Sequence, residues 1–254
     1  MSFKANMKIK DKGAPFINWG LPLAFLVVGG WLVVHLYSIM VHDLSNSIWF
    51  TLGLILLQCW LYTGVFIIAH DTMHGSLAPH SPKTNAILGI VILFIYAGFN
   101  WRSMREAHHA HHIHSGKDGD PDFNVQNPKD FWPWYIKFFR QYFGIKQILV
   151  LMSFTLFYIF ILGADYLNTI IMWAIPAILS SVQLFYFGTY LTHRHKGTFA
   201  DHHNARSNSY PRWLSLLTCF HFGYHHEHHL FPHEPWWRLP YRKFRKSGFE
   251  RAKS

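Results

Sequence analysis

Four long apolar runs, at roughly residues 16–41, 47–69, 148–163 and 169–191, decide what this chain can fold into. Hydrocarbon offers no water to backbone amides, so a crossing segment has to satisfy its own hydrogen bonds, and an apolar run of about 20 residues does so as a helix. The first, second and fourth runs are long enough, and the third, shorter, is accepted as a span together with residues 144–147 that lead into it. A fifth run, residues 86–99, is too short to cross unaided and reads as a re-entrant or interfacial helix. The expected fold is all-α and integral to a membrane. It has four transmembrane helices, one short helix that does not cross, and a cytoplasmic helical cap, in one domain over residues 1–254.

Charge supports this reading independently. Only 14% of residues are charged, against about a quarter in soluble domains. With four spans, residues 1–15, 70–146 and 191–254 share one side and hold all 23 Lys and Arg, while the connections 42–46 and 164–168 hold none. The positive-inside rule makes that first side cytoplasmic, with both termini on it. A crossing by residues 86–99 would break the pattern. The net charge of +10 needs no nucleic acid; basic loops lying against anionic headgroups account for it. The first run is too long for a cleaved signal and reads as a retained anchor. Cys59 in a span and Cys219 in a loop predict no disulfide. A lone His35 in the first span reads as a packing residue.

Chemistry is concentrated in the histidines. Between residues 221 and 233 lie His221, His225, His226, His228, His229 and His233. Imidazole is a poor helix former and costly to bury alone, and its concentrated use is as a ligand to transition metals. His225, His228 and His229 have the spacing HxxHH, which puts all three on one helical face. His108, His111 and His112 repeat it, and His70 with His74 forms an i, i+4 pair in HDTMH. The fourth span ends at His193, the best-placed histidine of its loop; His203 with Asn204 is the reserve. The acidic string GKDGDPDF, with Asp118, Asp120 and Asp122, is either a solvated turn or a source of carboxylates for the outer N–H of ligand imidazoles. Residues 131–146, aromatic with interspersed cations, read as a helix in the headgroup plane whose rings carry no chemistry.

Together these positions give nine imidazoles: His70, His74, His108, His111, His112, His193, His225, His228 and His229. Nine exceed the needs of one zinc and suit two metals. With no nucleophile motif and no nucleotide loop, the simplest reading is a di-iron activator of O2 above an apolar substrate cavity, with no catalytic residue beyond the ligands. A metal transporter would instead need ligands along a path deep in the spans. Haem ligation is a further use of paired histidines, but these lie away from the bilayer centre.

The boxes HDTMH, HHAHH and HHEHH resemble those of the integral-membrane fatty acid desaturase and hydroxylase superfamily. The longer strings HDTMHGSLAP, GDPDF, HNARSNS and LTCFHFGYHHEHHLFPHEPWWRLP are similar to the bacterial-type β-carotene ketolase family. The resemblance implies a bacterial inner-membrane oxygenase with two iron ions. It would use O2 and a ferredoxin-type electron donor to hydroxylate C4 of a β-ionone ring twice, the diol then losing water. A relative acting on fatty acyl chains, or at C3, would keep the boxes but not these strings. On the same basis the nine imidazoles are the expected ligands. Asp71, Asp122 and Glu227 are candidate carboxylates on their outer nitrogens, and His109, His114, His221, His226 and His233 either support the ligand rings from behind or order the loops.

Overall fold

The computed structural model describes residues 19–45 and 47–244. The chain ends, including Met1–Pro15 and the first residues of the first expected span, lie outside them. Among the described residues the regular structure is helical, apart from one bridge, Ser207 with Tyr224. In chain order the helices are α1 (Gly20–Met40), α2 (Ile48–His74), α3 (Pro82–Ala97), α4 (Trp101–His114), α5 (Phe131–Tyr142), α6 (Ile145–Ile161), α7 (Tyr166–His193), α8 (Arg212–Cys219) and α9 (His225–Leu230). Among them α1, α2 and α7 are each long and apolar enough to cross a membrane, and two bent pairs raise the number of candidate spans to five.

The bundle is built around α2, two-thirds of whose most apolar window is buried (67%), against 33% for α1 and 28% for α7. Both flanking helices turn large apolar side chains outward, among them Phe25, Leu26 and Val33 on α1 and Ile178 on α7. Such a surface suits lipid. α2 carries its hydrogen-bonded turns through the first histidine box before Gly75, at φ +72°, ends it.

The short run is α3. It starts at Pro82, whose missing N–H is no loss in the first turn of a helix. Gly98 ends it with φ +67°, a value that favours glycine, and the Asn100 side chain then caps α4 by accepting from Ser103 N at 3.1 Å. The two helices therefore meet at 98°. Trp101 locks the corner: its Nε1 donates to Thr72 Oγ1 at 3.0 Å, and its ring lies where Gly89 has no side chain. α5 and α6 bend by 74° around Gly144.

One corner carries strain. Phe220 and His221, between α8 and α9, both have positive φ (45° and 63°), a conformation that costs about 1–3 kcal/mol for a non-glycine residue. Packing and capping hold it. The amides of Phe220 and His221 donate back to Leu216 and Ser215, and the Phe220 ring stacks on Trp60 at 4.6 Å. A Cβ on Gly64 would overlap that ring and come within 2.8 Å of a Val27 methyl. We expect Gly64→Val to lose about 1–3 kcal/mol of stability, read as a lower thermal midpoint in detergent; an unchanged midpoint would refute this packing.

Candidate metal centre

Four elements deliver the imidazoles. His70 and His74 lie on the last turns of α2, His108, His111 and His112 on α4, His193 at the end of α7, and His225, His228 and His229 on α9. The bend between α3 and α4 swings the second box across the end of α2. Nitrogens of His70, His74, His108 and His228 all lie within 4.8 Å of one another, and those of His111, His193, His225 and His229 form a second such group. His112 sits between the two groups. Its Nε2 is 3.1 Å from His108 Nε2 and 2.9 Å from His228 Nε2, and its ring stacks on His229 at 4.3 Å. All nine positions expected from spacing are thus in one place.

The contacts inside the first group cannot all be hydrogen bonds. His108 Nε2 approaches Nε2 of His70 (2.8 Å), His74 (2.7 Å) and His112 (3.1 Å). A ring nitrogen carries one proton or one lone pair, so it makes at most one hydrogen bond. A shared cation satisfies all of them: nitrogens about 2.1 Å from a metal and at right angles are about 3.0 Å apart. In the second group, His193 Nε2 is buried with no partner, while its Nδ1 donates to the Asn204 carbonyl at 2.8 Å. That outer bond fixes the tautomer and leaves the inner lone pair free to coordinate. The donor set therefore fits metal at both positions.

The carboxylates around the imidazoles correct four expectations. Asp118 is exposed, and Asp120 makes the contact instead, both oxygens 3.0 Å from His111 Nδ1. Burial would raise the Asp120 carboxyl, but His111 and the amides of Gly116 and Asp122 outweigh it and hold it below its usual value. Asp122, 3.8 Å from His111 Nδ1, is too far for a hydrogen bond to it and accepts from Tyr142 Oη instead. Glu227 does not reach an imidazole: buried, it accepts from Ser207 Oγ and lies 3.8 Å from Lys243 Nζ. Asp71 stands 3.6 Å from His70 Nδ1, too far for a hydrogen bond, and takes the Trp236 amide at 3.2 Å.

Three of the remaining histidines brace loops. His226 Nε2 pairs with Asp201 at 2.8 Å, His233 Nδ1 donates to the His74 carbonyl at 3.1 Å, and His221 stacks on Trp236. The reserve pair holds the second group from outside. Asn204 receives His193 and donates to the Ser115 carbonyl, the His203 carbonyl accepts from Ser115 Oγ, and the His203 ring lies 5.9 Å from that of His229.

An apolar cavity of about 900 Å³, open mouth included, runs beneath both groups. His70 and His108 of the first group and His111 and His225 of the second face it, and its walls include Phe66, Tyr96, Phe99, Leu184 and Phe222. Phe138, Phe139, Tyr142 and Phe143 also line it. The rings of α5 and its C-terminal end, expected only to sit among headgroups, therefore shape the chamber; their one-sided spacing was the available signal. Trp134 at the centre of α5 is fully buried against Phe123 and Phe185.

Residues 45–156 and 140–246 match the family model described as fatty acid desaturase, and the chain belongs to that family. The family and the histidine groups together indicate a metal centre. Within the family the chain groups with the β-carotene ketolases. It is 45% identical over 238 residues to a β-carotene ketolase of Paracoccus sp. (strain PC1), covering 93% of this chain and 95% of that one. The β-carotene ketolase of Paracoccus sp. (strain N81106 / MBIC 01143) is 46% identical over 216 residues, 84% of this chain and 88% of the other. A zeaxanthin 4-ketolase of Chlamydomonas reinhardtii is 34% identical over 220 residues, 84% of this chain and 49% of its own. No solved structure gives a significant match.

Two outcomes follow. Asp120→Asn weakens the orienting contact on His111, so metal affinity should fall about 10- to 100-fold, measured by competition with a chelator; wild-type affinity would show that Asp120 is dispensable. Burial, followed by neighbouring imidazoles, pushes His225, His228 and His229 well below the usual imidazole value. The folded chain then keeps them neutral while the unfolded chain takes up protons below about pH 6.5, so stability is lost on acidification. The thermal midpoint of metal-stripped protein should fall from pH 7 to pH 5, and a flat profile would contradict the assigned protonation.

Proposed function

We propose that the chain is a β-carotene 4-ketolase: a membrane di-iron oxygenase that converts C4 of a β-ionone ring to a ketone, taking β-carotene through echinenone to canthaxanthin. The observation that carries this is the cavity, an aromatic and aliphatic chamber with imidazoles of both groups in its lining. Similarity to ketolases over 93% of the chain supports the choice of substrate. Two iron ions would be held by the nine imidazoles, His70, His74, His108, His112 and His228 around one and His111, His193, His225 and His229 around the other. When bound, they supply activation of O2 for C–H oxidation.

This chain's own residues do the rest. Phe66, Phe99, Phe138 and Phe222 hold the ring by burial of apolar surface and keep bulk water from the reacting carbon. Asp120 and the Asn204 carbonyl orient two of the rings through their outer nitrogens. Each hydroxylation turns one C–H into C–OH, consuming one O2, two electrons and two protons and releasing one water; the geminal diol then loses water. A ferredoxin-type carrier supplies the electrons. Four helices cross the bacterial inner membrane in this reading: α1, α2, α6 and α7. α3 dips back without crossing, both termini are cytoplasmic, and the cytoplasmic helices form a cap over the metals within one domain, residues 1–254.

Expression in a β-carotene-accumulating host, with chromatography of the pigments, tests the reading. Echinenone and canthaxanthin should appear with the wild type and vanish with His111→Ala or His228→Ala while the protein remains in the membrane. Unchanged β-carotene from the wild type would overturn the proposal, and full activity in either variant would remove that histidine from the ligand set.

A further inference from the structure

A ketolase has to oxidise one carbon twice. After the first step the ring carries a hydroxyl, and the alcohol has to be held with the same carbon facing the metals. The cavity contains one group suited to that task. Its polar lining residues outside the histidines are Tyr96, Asp122, Tyr142, Ser181 and Thr189. Four are engaged with one another or with neighbours: the Tyr96 hydroxyl is turned to the Ser180 side chain, Tyr142 Oη donates to Asp122, and Ser181 Oγ donates to the Ile178 carbonyl at 2.7 Å and lies 2.7 Å from Tyr135 Oη. The Thr189 hydroxyl has no hydrogen-bond partner among the described residues.

Its position follows from the backbone. Residues Phe185–Tyr190 form a π-helical turn, wider than an α turn and common where a helix serves a site. Leu184 and Thr189, five residues apart across that turn, both line the cavity. Thr189 is one turn before His193, whose unpartnered Nε2 belongs to the second imidazole group. A hydroxyl facing a pure hydrocarbon gains nothing, because β-carotene has no polar atom to meet it. The 4-hydroxy ring has one.

We propose that Thr189 is a positioning residue for the second oxidation, its hydroxyl hydrogen-bonding the 4-hydroxyl of the half-oxidised ring so that the remaining C4–H stays toward the metal centre. This rests on the ketolase reading. The second step balances as the first does: the remaining C4–H becomes C–OH at the expense of one O2, two protons and two electrons from the one-electron carrier. One water leaves with it, and another when the diol collapses to the ketone. Thr189 exchanges no electrons and no net proton.

The test uses the full chain in the β-carotene-accumulating host, reading the ratio of 4-hydroxy to 4-keto rings. Thr189→Val removes the hydroxyl at nearly constant shape and should raise that ratio about three- to tenfold, the effect of one hydrogen bond. Thr189→Ser should return it to the wild-type value. Trp-fluorescence quenching of the purified, anaerobic protein supplies a readout without turnover: the wild type should bind a 4-hydroxy-β-ring carotenoid more tightly than β-carotene, and Thr189→Val should lose that preference. A wild-type product ratio in Thr189→Val overturns the proposal. So does loss of all oxidation in that variant with its binding preference intact. A wild type that makes no C4-oxidised pigment removes the ketolase reading and this role with it, whereas ketone formation with an unmoved ratio removes only the role of Thr189.

Discussion

Everything in this fold depends on bringing neutral imidazole nitrogens against one another in a buried place. Nitrogens as close as 2.7–3.1 Å are tolerable when one donates to the other, but His108 faces three at once. Burial makes a charged imidazole costly and an unpaired one costly too. The architecture therefore makes physical sense around cations, with the protein holding the rings in their neutral, coordinating form.

The supporting structure is organised to keep the rings from rotating away. α2 is the rigid element, packed on several sides, and it presents His70 and His74 from regular helix. α4 is aimed by a corner that uses Gly98, Asn100 and Trp101, each for a distinct reason: a positive φ, a cap and a lock. α9 has only six residues and does not hold itself. The strained Phe220–His221 turn, the Ser207–Tyr224 bridge and the His226 amide on Ser207 Oγ hold it from outside. The loop after α7 does the same for His193. These polar braces surround the imidazoles, and the apolar chamber lies below, so substrate and metals meet at the boundary between them.

Much of this was legible in the sequence because two periodicities are strong. Long apolar runs leave helices as the solution, and HxxHH puts three rings on one face whatever surrounds it. What escaped was set by tertiary approach. Asp118, Asp120 and Asp122 are equivalent in a string that turns at Gly119 and Pro121, and only the fold shows that Asp120 meets His111 while Asp118 faces outward. Glu227 sits among the clustered histidines in sequence, yet on so short a helix its neighbour is Ser207. The rings of residues 131–143 were read as an interfacial belt because aromatic residues serve both lipid and cavity, and spacing does not say which.

The central claim is that two groups of imidazoles hold two metal ions together in one chain. The most direct test is the iron content of protein purified from iron-replete cells, determined against chain concentration. The account predicts two iron ions per chain. One ion per chain, or none in protein that retains its fold and takes up no iron on reconstitution, would contradict it.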